Sequence, residues 1–266
     1  MARGHSKHLV ELASKLHPDI NLMWTGRQIR SEYLDAVDAE VFEQDAKRKP
    51  LYWDNFPVNN LSLRFELHMG PLVGRESNLS QYSIGLLSNP MLQFHCSLLP
   101  LATVAAYLNN PNQYEPAAAW ETALEFLYPD LDDRLALRSV FRCFMSSPID
   151  SDAAPDLREV LGRATALRRA NRIAESQQAI KDYSKSLRAA LTRIGLKTFH
   201  YPEVAAEMSP WFPKLDSGIS LLDALATGEA AKVQSAFTEF EQIRQLAFGD
   251  LLDGAAAEFL AEAGNF

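Results

Sequence analysis

KPLYWDNFPVNN, residues Lys49–Asn60, decides the fold by the order of its residue types. Leu51–Trp53 is a short apolar run, Asp54-Asn55 ends it in polar residues, and Asn55 and Asn60 fit turn positions around Pro57. Two other runs share the pattern: Ile20–Trp24 before Thr25-Gly26, and Tyr82–Leu87 before Ser88-Asn89. The three begin about 30 residues apart, the length of a strand plus a returning helix, so they predict parallel strands in successive βα units. Strand alternation puts Trp53 and Asn55 on one face and Asp54 on the other.

Outward from these runs the chain reads as helix. Ser6–Leu16 is amphipathic, with Leu9, Leu12, Ala13 and Leu16 on one face. The helix between the first two strands is expected to start at Ser31 as N-cap, with Leu34, Val37, Val41 and Phe42 facing inward. Leu61–Leu67 alternates weakly, and Gly70-Pro71 and Gly74 mark a loop. Asn89 and Pro90 fit the N-cap and first position of a third helix, apolar nearly all round from Met91 to Leu108 and so expected to be buried on both sides. After Asn110-Pro111-Asn112, helices are expected at Glu115–Tyr128, Asp132–Met145, Pro155–Ile194 (with a change of phase near Asn171), Gly218–Ala226, Glu229–Phe248 and Leu251–Ala263. The division is therefore residues 1–112 and residues 113–266, with a linker candidate at 146–155. A three-stranded parallel sheet leaves two open edges, so the sheet is expected to continue before Met1.

Composition narrows the function classes. A 47% apolar and 23% charged chain of 266 residues is that of an ordinary globular protein. Its net charge of -8 gives no basic field for nucleic acid or anionic lipid. No stretch reaches the roughly 20 apolar residues of a membrane span, and the N-terminus has no continuous apolar signal region. The chain is expected to be soluble, and cytoplasmic by default. Cys96 and Cys143 read as buried free thiols.

Four motifs stand in order: WTG at Trp24–Gly26, KPLYWDNFPVNN at Lys49–Asn60, GPLVGR at Gly70–Arg75 and SNPM at Ser88–Met91. Together they resemble the sixth, seventh and eighth strand regions of glycoside hydrolase family 84. These are β-N-acetylglucosaminidases, among them O-GlcNAcases and hyaluronidase-like bacterial hexosaminidases. The match is strong over roughly residues 16–128 and looser over the helices beyond. It implies an α/β fold: the last three βα units of a partial (β/α)8 TIM barrel followed by an all-α helical bundle, helix-dominated overall. Polar residues at the C-terminal strand ends would then face the catalytic side.

The resemblance implies a role for six residues. Thr25 and Ile29 would line the pocket around the N-acetyl group, and Trp53 would wall it against the acetamido methyl and the sugar face. Asn55 would hydrogen-bond near the acetamido group, and Asn89 would contact a ring hydroxyl. Asn60 stands where the family normally has an aspartate that accepts bonds from the sugar 4- and 6-hydroxyls; asparagine keeps an acceptor and loses the charge. Without the resemblance, Trp53 reads first as barrel core, Asn89 is explained as an N-cap, and Asn55 and Asn60 read as turn residues around Pro57.

The implied chemistry is substrate-assisted: the sugar's own acetamido oxygen attacks the anomeric carbon, so no carboxylate nucleophile is needed. An Asp-Asp pair must still orient the amide and move the proton, and in the family that pair ends the fourth strand. The one Asp-Asp here, Asp132-Asp133, reads as an N-cap with its first turn, and alternation points Asp54 away from the pocket. No catalytic residue is therefore assigned, and the chain alone is expected to be incomplete or inactive as an enzyme. The alternative is a non-catalytic carbohydrate- or protein-binding helical module with a vestigial barrel. The expected partner is an N-acetylglucosamine-containing glycan or glycoprotein, together with a chain supplying the N-terminal barrel half. No cofactor or metal is expected: the six histidines show no ligand spacing, and Arg163, Arg168, Arg169 and Arg172 read as a solvated helix face.

Overall fold

The computed structural model of the chain describes residues 5–151 and 154–244. Helices dominate, around a small sheet of three parallel strands in the order β1-β2-β3. β1 is Met23–Trp24, β2 is Leu51–Pro57 and β3 is Gly85–Asn89. Each sequence run becomes a strand, with β3 ending two residues later than Leu87 and β1 shorter than Ile20–Trp24.

The alternation in β2 is as the sequence requires. Tyr52, Asp54 and Phe56 are buried, whereas Trp53 is 38% exposed. Tyr52 packs with Leu34 and Leu79, and Phe56 with Leu72, Val104 and Tyr107. The opposite face carries exposed Met23, Trp53 and Leu87; the register pairs Trp53 with Leu87 and Met23 with Leu51, two residues before Trp53.

α1 spans Lys7–Lys15, with the Ser6 hydroxyl accepting from the Leu9 N–H. α2 spans Ala36–Ala46 and corrects the expected start at Ser31. The Asp35 carboxylate accepts from the Asp38 N–H at 2.7 Å and Glu76 accepts from the Ala36 N–H at 2.8 Å. Two carboxylates thus satisfy the N–H groups of the first turn, which Ser31 lies too far upstream to reach. Ser31 instead closes the preceding loop on Gln28. The inward stripe is Ala39, Phe42 and Ala46, while Val37 faces out.

α3 spans Phe94–Asn109, four residues later than Pro90. Asn89 is not its cap: it ends β3, and the N–H groups of His95 and Cys96 are held by the Glu207 carboxylate at 3.1 and 2.9 Å. A cap from 111 residues away leaves no trace in the local sequence. One face of α3 is buried through Cys96, Leu99, Val104 and Tyr107, but the stripe of Leu98, Leu101, Ala102 and Ala105 is half-buried to exposed, which corrects the expected burial on both sides.

The remaining described helices are α4 (Pro116–Leu127), α5 (Leu131–Phe141), α6 (Pro155–Arg169), α7 (Ile173–Ile194), α8 (Pro202–Met208), α9 (Phe212–Thr227) and α10 (Ala230–Arg244). The long middle helix is indeed two, divided at Asn171 with φ 60°. α8 was not expected, and the Leu251–Ala263 helix lies outside the described residues. One apolar cluster runs from Leu67, Met91 and Leu99 below the sheet through Trp120, Leu137 and Phe141 to Ile180, Leu221 and Phe240. Ile149, inside the linker candidate, is buried against Phe56 and Leu72.

Candidate functional site

The C-terminal ends of the three strands meet through one amide. The β2–β3 ladder pairs Asp54 with Ser88 and then Pro57 with Asn89, which leaves Asn55 and Phe56 out of register. Asn55 Oδ1 accepts from the Trp53 indole N–H at 3.0 Å and from Asn89 Nδ2 at 2.9 Å. Its own Nδ2 donates to the Ile29 carbonyl at 2.6 Å, in the loop after β1. A single side chain therefore ties all three strand ends together. With its indole N–H occupied, Trp53 is held in orientation and offers a ring face. Asn89 retains its carbonyl oxygen and a second N–H for a ligand.

Of the six residues singled out from the sequence, Trp53, Asn55, Asn89 and the Ile29 backbone form this cluster. The Ile29 side chain is 76% exposed beside it. Thr25 follows β1 directly and is half-buried, but no hydrogen bond of its side chain reaches the cluster among the described residues. Asn60 sits apart: its Oδ1 accepts from Arg30 Nη2 at 3.2 Å. Its neighbour Asn59 is fully buried, donating to the Glu66 carbonyl and Gln93 Oε1 and accepting from the Leu92 N–H. Asn59 locks the two loops after β2 and β3 to each other.

Neither sequence acid is available for proton transfer here. Asp54 lies on the covered face and forms a two-pronged ion pair with Arg75, at 2.6 and 2.8 Å, with both side chains almost wholly buried. Arg75 also donates to the carbonyls of Glu32 and Val73. Asp132 is not the cap of α5. Asp130 accepts from the Asp133 N–H at 2.9 Å, and Asp133, fully buried, binds Arg193 at 2.6 Å and His200 at 2.8 Å. Burial alone would raise the Asp133 carboxyl, but the His200 backbone N–H, the His200 ring and Arg193 outweigh it and hold it below the usual range. Asp130, Asp133 and His200 could together approach a cation, yet Arg193 already supplies the positive charge.

The thiols are free, and burial pushes the Cys143 thiol up to about 12 and raises Cys96 as well, which disfavours the thiolate. Sequence reading overlooked Arg30, Arg75 and Asn59. A signal existed for Arg75, because alternation buries Asp54 and a buried carboxylate needs a cation, which the GPLVGR motif provides.

The beta-N-acetylglucosaminidase family model, NAGidase, matches residues 1–141. The protein O-GlcNAcases of Rattus norvegicus and Mus musculus are each 32% identical over 110 residues, which is 41% of this chain and 12% of theirs. Among solved structures, an O-GlcNAc hydrolase of Thermobaculum terrenum superposes with a TM-score of 0.80 at 22% identity, over 97% of this chain and 57% of that one. CpGH84B superposes at 0.79 with 17% identity, over 97% and 47%. At these identities the structures speak for the fold. The chain spans 12% of the length of the curated relatives and about half that of the solved ones.

Proposed function

The chain belongs to the β-N-acetylglucosaminidase family, and on that footing we propose that it carries the sugar-holding part of a β-N-acetylglucosaminidase site. Trp53 walls the acetamido pocket, Thr25 and Ile29 line it, Asn55 fixes the wall and meets the acetamido group, and Asn89 and Asn60 meet ring hydroxyls. The observation that carries this reading is the amide hub: three parallel strand ends converge on Asn55, and the one exposed aromatic ring among them is locked by it. A ring held edge-on by its own indole hydrogen bond leaves its face for the acetamido methyl and the sugar.

Residues 1–112 are, in this reading, the last three βα units of a (β/α)8 barrel, and residues 113–266 its helical domain. The exposed apolar face of Met23, Trp53 and Leu87 supports it, because a parallel sheet is ordinarily covered on both faces. The Asp-Asp pair that would orient the amide and transfer the proton belongs, in the same reading, to strands outside this sequence, on a further segment or a separate chain. The substrate is a glycan or glycoprotein bearing N-acetylglucosamine. Among the described residues, no helix is long and apolar enough to cross a membrane.

Ligand-observed NMR tests the pocket. Methyl β-N-acetylglucosaminide should show saturation transfer to its acetamido methyl, methyl β-glucoside should show none, and Trp53→Ala should abolish the signal with unchanged far-UV circular dichroism. Equal signals from the two sugars would remove the acetamido pocket. Hydrolysis of a chromogenic N-acetylglucosaminide should be absent with the chain alone and appear only when the strands carrying the acid pair are supplied.

A further inference from the structure

Several of the charges in the loops around the amide hub are matched, while Glu32 and Arg64 form no ion pair among the described residues. Arg27 pairs with Asp38 at 2.6 Å and Arg75 with Asp54 at 2.6 Å, while Glu66 meets His68 at 3.1 Å. Glu76 is taken up by the Ala36 N–H. Arg30 differs. Its guanidinium donates to Asn60 Oδ1 at 3.2 Å, and among the described residues no carboxylate comes within ion-pair reach. Both side chains are half-buried, so the cation is partly withdrawn from water without a counter-charge.

Its place is fixed from two directions. The residue before it, Ile29, has its carbonyl held by Asn55 at 2.6 Å, which anchors the backbone next to Arg30 at the hub. On the other side, Asn60 follows directly on Asn59, which is clamped by three hydrogen bonds. A planar guanidinium held this way offers its remaining N–H groups as a fork, the geometry that suits a sulfate or phosphate group. The partner's neutrality matters as much. An aspartate at position 60 would neutralise Arg30 and repel an anion; asparagine leaves the charge uncompensated. The chain as a whole carries a net charge of -8, so this is a local feature and not part of a basic surface.

We propose that Arg30 and Asn60 make the pocket selective for N-acetylglucosamine bearing an anionic ester, sulfate or phosphate, on the side of the sugar that meets Asn60, its 6-oxygen. The proposal rests on the sugar-pocket reading above and names the substrate class of that same site. Arg30 binds the ester oxygens with two charge-assisted hydrogen bonds, and Asn60 keeps the guanidinium in position while its amide N–H group donates to the same ester.

Affinities of methyl β-N-acetylglucosaminide and its 6-sulfate and 6-phosphate esters, measured by NMR titration on the full chain, provide the test. At low ionic strength at least one ester should bind about tenfold more tightly than the neutral sugar, and the gap should narrow in high salt. Arg30→Met should erase that preference and change the affinity for the neutral sugar less than about twofold. Asn60→Asp should erase it too, by supplying Arg30 with a carboxylate. An ester preference that survives Arg30→Met, or one that glucose 6-sulfate shows equally, overturns the proposal, as does binding of the neutral sugar with no preference. Failure of all the N-acetylated sugars to bind would overturn the pocket reading and this inference with it.

Discussion

Replacing Asp54 by asparagine keeps the shape of the side chain and removes its charge, leaving the Arg75 guanidinium without its counter-ion. The pair is bidentate, with Arg75 Nε to Asp54 Oδ2 at 2.8 Å and Nη2 to Oδ1 at 2.6 Å. The side chains are 1% exposed on Arg75 and 4% on Asp54, so water cannot take over the lost partner. Removing one member of such a pair costs about 3–5 kcal/mol, a large part of a typical domain stability of about 5–15 kcal/mol. Arg75→Met also strips the bonds to the Glu32 and Val73 carbonyls, roughly 1 kcal/mol each. Replacing both residues by apolar ones, Asp54→Leu with Arg75→Met, should recover much of the loss, because no charge is then left buried. Urea unfolding, followed by tryptophan fluorescence and far-UV circular dichroism, measures the parent, the two single variants and the double variant. If Asp54→Asn unfolds within about 1 kcal/mol of the parent, the pair is open to solvent and its structural role, as opposed to a role in the pocket, is refuted.

Gly74→Ala should lower stability by about 2 kcal/mol or more, seen as a lower melting temperature. Gly74 has φ +73°, and an added Cβ would stand 2.0 Å from the Glu32 carbonyl oxygen, where the backbone has no room to give. Gly162→Ala, in α6 with nothing within 4 Å of the new Cβ, should instead stabilise by roughly 0.5–1 kcal/mol; a loss there would mean α6 is not packed as described. The acid limb of stability should reflect Asp133. Its carboxyl titrates lower folded than unfolded, so its contribution is present above the unfolded value of about 4 and is lost as the pH falls through the lower folded value. Urea midpoints should therefore drop below pH 4, and Asp133→Asn should be less stable at pH 7 with a flatter acid limb; an unchanged limb would contradict the depressed carboxyl.

The strands were legible because parallel βα units impose a period and because polar residues end each run. β2 could even be read face by face, since alternation separates Trp53 and Asn55 from Asp54. The helix starts were less legible wherever the cap comes from far along the chain. Glu76 and Glu207 serve α2 and α3 from distances of 40 and about 111 residues, and local capping rules chose Ser31 and Asn89 instead. The same limit explains the site. The hub at Asn55 joins residues 26 and 34 positions away, and Arg30 reaches Asn60 across 30. Their residue types carry no periodic signal; only the strand register brings them together.

The helices do more than follow the sheet, because they hold the loops on which the hub residues and Asn60 sit. Trp211 donates from its indole to the Phe65 carbonyl at 2.8 Å, in the loop after β2, and Trp120 does the same for Met69 at 2.7 Å. The Met69 N–H in turn bonds to the Phe144 carbonyl, and Gly70 lies so close to Met145 that a Cβ would meet its carbonyl at 2.3 Å. Glu207 on α8 fixes the first turn of α3, directly after the loop that carries Leu92 and Gln93. Asn59 then binds that loop to the one after β2. The chain of contacts runs from α8 and the tryptophans, through buried backbone, to Asn60 and Asn89. Loop ends that carry the proposed pocket need such bracing to hold their amides in a fixed geometry. The tryptophans, the glycine and Glu207 in this brace are therefore positioning elements, and GPLVGR contributes through packing and the Asp54 clamp, with no hydrogen bond to the amide hub among the described residues.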